Sequence, residues 1–136
     1  DVACSNHVGS ILFYSEMMTK WGLLEEIEKI KKENLLIVVE GKKDKSALEQ
    51  IGLKNIFVLD ENGKSLLIKI EEISQRDKEC IILTDFDKKG KEIYKLVKSE
   101  LLQKGITLNN KLRNLLLKSH LSHIEGIFTF LKNYPK

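Results

Sequence analysis

Three short apolar runs stand out against a mixed chain: "LLIVVE" (35–40), "IFVL" (56–59) and "CIILT" (80–84). Each is rich in β-branched residues and none alternates with polar positions, which predicts strands covered on both faces. Between them, apolar positions recur at helical spacing. Leu23, Leu24, Ile27 and Ile30 define an amphipathic helix over 21–32. A second helix is predicted over about 43–51, a third over 64–75 on Leu66, Leu67, Ile70 and Ile73, and a fourth over 89–104. Gly52 and Gly105 stand where C-caps belong. "ITL" (106–108) adds a short fourth strand. Two further helices, about 109–119 and 122–133, turn Leu112, Leu115, Leu116, Ile124, Ile127, Phe128 and Leu131 inward. Strands alternating with helices predict an α/β fold, a doubly wound, Rossmann-like parallel sheet of about four strands joined by right-handed crossovers. No repeat or low-complexity segment divides the chain, so one domain is expected over 18–136. Residues 1–17 carry few periodic apolar positions and are expected to be an accessory or non-native extension, with the domain starting near Met18.

Composition narrows the class. A chain of 136 residues can bury a real core, and 42% hydrophobic with 32% charged residues excludes a disordered chain. The formal charge of +3 is unevenly spread: Lys104, Lys111, Arg113, Lys118, Lys132 and Lys136 face Glu125 alone over 104–136, a net of +5 that leaves −2 for the remainder. That asymmetry suits a polyanionic partner, with a solvated basic tail as the alternative. Cys4 and Cys80 lie far apart and form no CxxC, so neither a zinc ribbon nor a disulfide framework is expected, and a reduced cytoplasmic setting fits. No run approaches the roughly 20 apolar residues of a membrane span. "VGSILFY" is too short, and lacks the basic flank, for a secretory signal.

Two of the predicted strands end in acids: "VVEGKKD" delivers Glu40, and "LTDFDKKG" delivers Asp85 and Asp87. In an open parallel sheet, ligands bind beyond the carboxyl ends of strands where the strand order reverses. If the second and third strands flank the first, the three carboxylates share one crevice and repel one another unless a cation joins them. Oxygen-only ligands suit Mg²⁺ or Mn²⁺. Lys42, Lys43, Lys45, Lys88, Lys89 and Lys91 would then steer a phosphate backbone toward the metal. Lys111, Arg113 and Lys118 would extend the contact along the C-terminal third. The plainer alternative is that Asp87 caps the helix after it and Asp44 stabilises the positive end of the helix after Glu40. Gly41 and Gly90 are expected to allow turns or close backbone approach.

The pair "VVEGKKD" and, about 40 residues on, "LTDFDKKGKEI" resembles the Toprim domain of primases, topoisomerases, recombination mediators and some nucleases, over about residues 35–125. With the terminal "SHIEG", the chain is most similar to small stand-alone archaeal Toprim proteins and to the Toprim ribonucleases that mature ribosomal RNA precursors. By that resemblance Glu40 is the acid/base residue and contributes to the metal site, Asp85 and Asp87 coordinate Mg²⁺, and Glu125 falls where the maturases place a further acid. The chain departs from the topoisomerases, whose acids after D-x-D are replaced here by Lys89 and Lys91. The tyrosine-bearing domain of topoisomerases and the zinc-binding segments of primases have no counterpart.

Rival motifs fit less well. A haloacid-dehalogenase phosphatase continues D-x-D-x-[TV], where this chain has Lys89, and a receiver domain places its paired acids after the first strand. His120 and His123 at i, i+3 spacing read more simply as surface or core side chains than as a metal pair. The expected function is Mg²⁺-dependent processing or binding of nucleic acid by phosphodiester chemistry, RNA favoured over DNA. The alternative is a non-catalytic RNA- or DNA-binding or scaffold protein in a larger RNA-processing or DNA-repair complex.

Overall fold

The computed structural model describes the backbone of residues 2–60, 63–121 and 123–132, and side chains from Met18 to Leu131 within those ranges. The apolar runs form parallel strands β1 (Leu36–Val39), β2 (Ile56–Val58) and β3 (Glu79–Leu83), with a short β4 (Thr107–Leu108). Their order is β2-β1-β3-β4. Register pairs Val39 with Val58 on one side and with Leu83 on the other. The strand order therefore reverses at β1, and the switch point lies between the ends of β1 and β3.

Helices cover both faces, which is why the strands lack polar alternation. Ile37, Val39, Ile81 and Leu83 pack with Leu23, Ile27 and Ile30 of α1 (Val2–Glu33), Ala47 and Leu48 of α2 (Lys42–Gln50), and Leu112 and Leu116 of α5 (Lys111–Lys118). On the other face Leu36, Val38, Cys80 and Ile82 pack with Ile70 and Ile73 of α3 (Leu66–Arg76) and with Val97 and Leu101 of α4 (Lys88–Gln103). Each fully buried Leu or Ile contributes about 1.5–3 kcal/mol. Burial pushes the Cys80 thiol up to about 12, so it behaves as a core side chain. Among the described residues, no helix is long and apolar enough to cross a membrane.

The predicted elements are present, with two shifts. Helix α1 reaches back to Val2, although the side chains of residues 1–17, on which the expected extension falls, lie outside the described ones. The helix expected over 122–133 begins later, as a 3-10 turn (Ile124–Gly126) followed by α6 (Ile127–Lys132). Its start is set from outside: the Ile124 amide donates to Asp85 Oδ1, at 2.9 Å. Gly52 (φ 96°) and Gly105 (φ 80°) end α2 and α4 in the left-handed region, as their spacing predicts.

Candidate functional site

Glu40 follows β1, and Asp85 follows β3 by two residues. The sheet order makes them neighbours: the Asp85 amide donates to Glu40 Oε1 at 3.1 Å. Asp85 in turn holds the C-terminal segment, accepting from Ile124 N on Oδ1 and lying 3.3 Å from His123 Nδ1 through Oδ2. Asp87 is the N-cap of α4 and accepts from Gly90 N at 2.7 Å. One donor atom from each of Asp85, Asp87 and His123 lies within 4.8 Å of the others. Two carboxylates and an imidazole are a donor set that fits a divalent cation. Glu40 stands beside this trio, one of its oxygens held by the Asp85 amide.

Gly90 explains the spacing of the motif. A Cβ there would lie 2.1 Å from the Asp85 carbonyl oxygen and 2.6 Å from its carbon. The first turn of α4 thus rests directly on the backbone that presents Asp85, and Thr84 Oγ1 ties the two by donating to the Gly90 carbonyl at 2.8 Å. Gly41 is different: its φ is −135° and the nearest atom to an added Cβ is 3.9 Å away.

A crevice of about 740 Å³ opens at the strand ends. Glu40, Asp44, Asp85 and Glu125 border it, with Lys42, Lys43 and Lys89. Burial is the main cause of a raised Glu40 pKa, with Asp85 and Asp87 adding repulsion. Asp44, 7% exposed, is pushed up to about 6, first by burial and then by the charges of Asp85, Glu40 and Glu125, against the opposing hydrogen bond from Gly41 N. A cation among the acids would relieve this repulsion. The His123 pKa is also raised, by its hydrogen bond to Asp85, which favours the charged imidazolium.

The shift on Asp44 has a measurable consequence. Its folded pKa lies above the unfolded value near 3.8, so its ionisation in the native state opposes folding, and stability is lost as pH rises through about 6. Asp44→Asn keeps an acceptor for Gly41 N and removes the charge. In chelator its melting temperature is expected to match the parent near pH 4 and to exceed it by a few degrees at pH 8. That corresponds to on the order of 1–2 kcal/mol after solvent screening. Thermal melts of both proteins across pH 4–8 check this, and a constant difference would place the effect elsewhere.

The remaining basic residues divide. Lys88 and Lys91 are exposed on the first turn of α4, Lys118 is exposed at the end of α5, and Lys111 lies 3.6 Å from the buried carboxylate of Glu26 on α1. Arg113 departs from the expected phosphate contact because it is only 4% exposed. Its guanidinium donates to the carbonyls of Ile82 and Thr84 and packs 4.7 Å and 4.0 Å from the rings of Phe86 and Tyr94. It therefore grips the residues on both sides of Asp85. Burial lowers its pKa, while the charges of Glu40 and Asp85 help to keep it protonated.

His123 reads as a surface or core side chain from its spacing to His120, yet it stands beside Asp85. Its signal was proximity to Glu125 in "SHIEG", not pairing with His120, which is exposed with φ 62° at the end of α5.

Comparison with known proteins places this arrangement. The UPF0292 protein of Methanocaldococcus jannaschii is 37% identical over 114 residues, covering 80% of this chain and 89% of that protein. The UPF0292 protein of Methanosarcina barkeri is 29% identical over 113 residues, covering 80% and 78%. A solved structure of a protein from Aquifex aeolicus superposes with a TM-score of 0.67 at 31% identity, covering 76% of this chain and 93% of that one. The family profile described as the Toprim domain matches residues 35–115, a span that contains the entire parallel sheet. A match of that extent shows that the chain belongs to the Toprim domain family, whose domains bind divalent metals and serve nucleic-acid-related proteins.

Proposed function

We propose that this protein carries out Mg²⁺- or Mn²⁺-dependent phosphodiester chemistry on nucleic acid, with RNA preferred. The observation that supports it most is the direct contact of Glu40 with the Asp85 backbone in a crevice bordered by Lys42, Lys43 and Lys89. Asp85, Asp87 and His123 would hold the cation, which when bound supplies charge stabilisation at a phosphoryl oxygen. Glu40 has one oxygen engaged by the Asp85 amide and a pKa raised by burial, which favours its holding and moving a proton. The lysines bind and orient the strand. The RNA preference rests on the resemblance to the Toprim ribonucleases.

Labelled single-stranded RNA and DNA, incubated with Mg²⁺, Mn²⁺ or chelator, test the reading. Cleavage of RNA ahead of DNA that vanishes in chelator is expected. A metal-insensitive shift without products would favour the non-catalytic binder or scaffold. One observation supports that second reading: Asp85 and Asp87 each already cap a backbone amide.

The lysines give a separate prediction. The logarithm of affinity for a single strand should fall linearly with log salt, by about 0.7 per neutralised phosphate. Replacing Lys42, Lys43 and Lys89 together by alanine is expected to reduce that slope by up to about 2. An unchanged slope in binding titrations would transfer the phosphate contacts to Lys111 and Lys118.

A further inference from the structure

The crevice extends past the acids over the end of β2, where Leu59, Asp60, Gly63, Lys64, Leu66 and Lys69 border it. Lys69 is the unexpected member. It is only 5% exposed, and its ammonium donates to the Leu59 carbonyl. Among the described residues it makes no ion pair. A buried ammonium is ordinarily paired, because removing its charge from water is costly. An ammonium has three donors, of which the carbonyl uses one. Among the described residues no carboxylate calls for the charge, and a neutral donor would satisfy Leu59 equally well.

Two further features on this wall favour an anion. The eleven-residue helix α3 begins here, with Leu66, its first residue, bordering the crevice. Ser65 Oγ accepts the Ile68 amide, so the amides of Leu66 and Leu67 remain at the positive end of the helix. Lys64 adds a second ammonium, held 2.7 Å from Glu72. Among the described residues that border this wall, Asp60 is an exposed opposing charge.

We infer that Lys69, with Lys64 and the N-terminus of α3, forms a phosphate subsite separate from the acids, which takes a second phosphate group of the ligand. The inference rests on the phosphodiester reading above and extends it: the ligand carries at least two phosphates, one at the acids and one over β2. An oligonucleotide strand and a free phosphate share this chemistry.

The test uses Lys69→Gln, which keeps a donor for Leu59, and Lys69→Met, which keeps the stem. Lys69→Gln removes the buried charge and keeps the donor, so it is expected to melt at or above the parent temperature, whereas Lys69→Met leaves Leu59 without its donor and is expected to melt at or below it. In chelator, both are expected to lose about tenfold in affinity for a single-stranded RNA oligonucleotide, roughly one charge-assisted contact. Mg²⁺ binding without RNA should be unchanged by calorimetry. A melting-temperature rise with inorganic phosphate, seen in the parent and absent from the variants, would identify free phosphate as an occupant. Loss of RNA affinity without such a rise would identify the strand. Unchanged RNA affinity overturns the subsite, and so does a lowered melting temperature in both variants, which would make Lys69 a structural donor. Failure of metal-dependent cleavage in the parent removes the proposed activity but not the subsite, which the chelator measurements judge alone.

Discussion

Glu40→Gln is expected to bind Mg²⁺ like the parent while metal-dependent cleavage falls by roughly 10²–10⁴-fold, the usual contribution of a positioned acid or base. The amide of Gln preserves an acceptor for the Asp85 N–H, so the junction of β1 and β3 should remain intact. What disappears is the carboxyl group whose pKa burial has raised. Replacing Asp85 and Asp87 together by Asn should have a different signature. Each Asn keeps an oxygen for the amide that its Asp caps, Ile124 N and Gly90 N respectively, but two negative charges are gone. Mg²⁺ binding and cleavage should be lost, and nucleic-acid binding in chelator should tighten because the phosphates no longer meet those charges. Calorimetry with Mg²⁺ on the three proteins, beside their cleavage rates, separates the roles. Should the double Asn variant bind Mg²⁺ as the parent does, the aspartates serve as caps and the proposed metal site is wrong.

Gly90→Ala should be the most damaging of the small substitutions at this site. The added methyl would meet the carbonyl oxygen, carbonyl carbon and Cα of Asp85 at 2.1, 2.6 and 2.9 Å, all of them backbone atoms. A flexible side chain could swing away, but the Asp85 backbone is held by the grip of Arg113 on Thr84 and Phe86 and by the Asp85 N–H bond to Glu40. Relief therefore requires α4 to lift from β3, breaking the Thr84–Gly90 hydrogen bond. A cost of about 3 kcal/mol is expected, at the upper end for overpacking. That corresponds to a melting-temperature fall of roughly 10 °C, with weakened Mg²⁺ binding in the protein that folds. Gly41→Ala is the matched control: its backbone suits any residue and its added carbon meets nothing closer than 3.9 Å, so a change within about 0.5 kcal/mol is expected. Equal losses in the two variants would contradict the close-approach explanation.

Much of this architecture is written locally. Uninterrupted β-branched runs declare strands buried on both faces, because a polar side chain on either face would have no water to meet. Alternation with helices then requires crossovers, and the acids that terminate β1 and β3 must emerge at the same edge of a parallel sheet. Glu40, Asp85 and Asp87 were legible for that reason, whereas Gly41 and Gly90 look alike in the sequence and only Gly90 meets another backbone closely. Asp87 shows the limit of such reading: the capping alternative is also true, since it caps α4 while standing within reach of Asp85 and His123.

The sequence by itself therefore determined the strands, the helices and the edge of the sheet at which the acids gather. Only the tertiary structure decided what surrounds the other charged side chains. Lys111 and Arg113 look alike in the sequence, yet two residues apart on α5 one reaches solvent and the other lies buried under the residues flanking Asp85. Lys69 is buried beside the crevice, and His123 meets an aspartate 38 residues away. A residue's charge is a property of its own atoms, but its burial and partners are set by which distant elements pack over it. Short-range pattern carries no record of that packing.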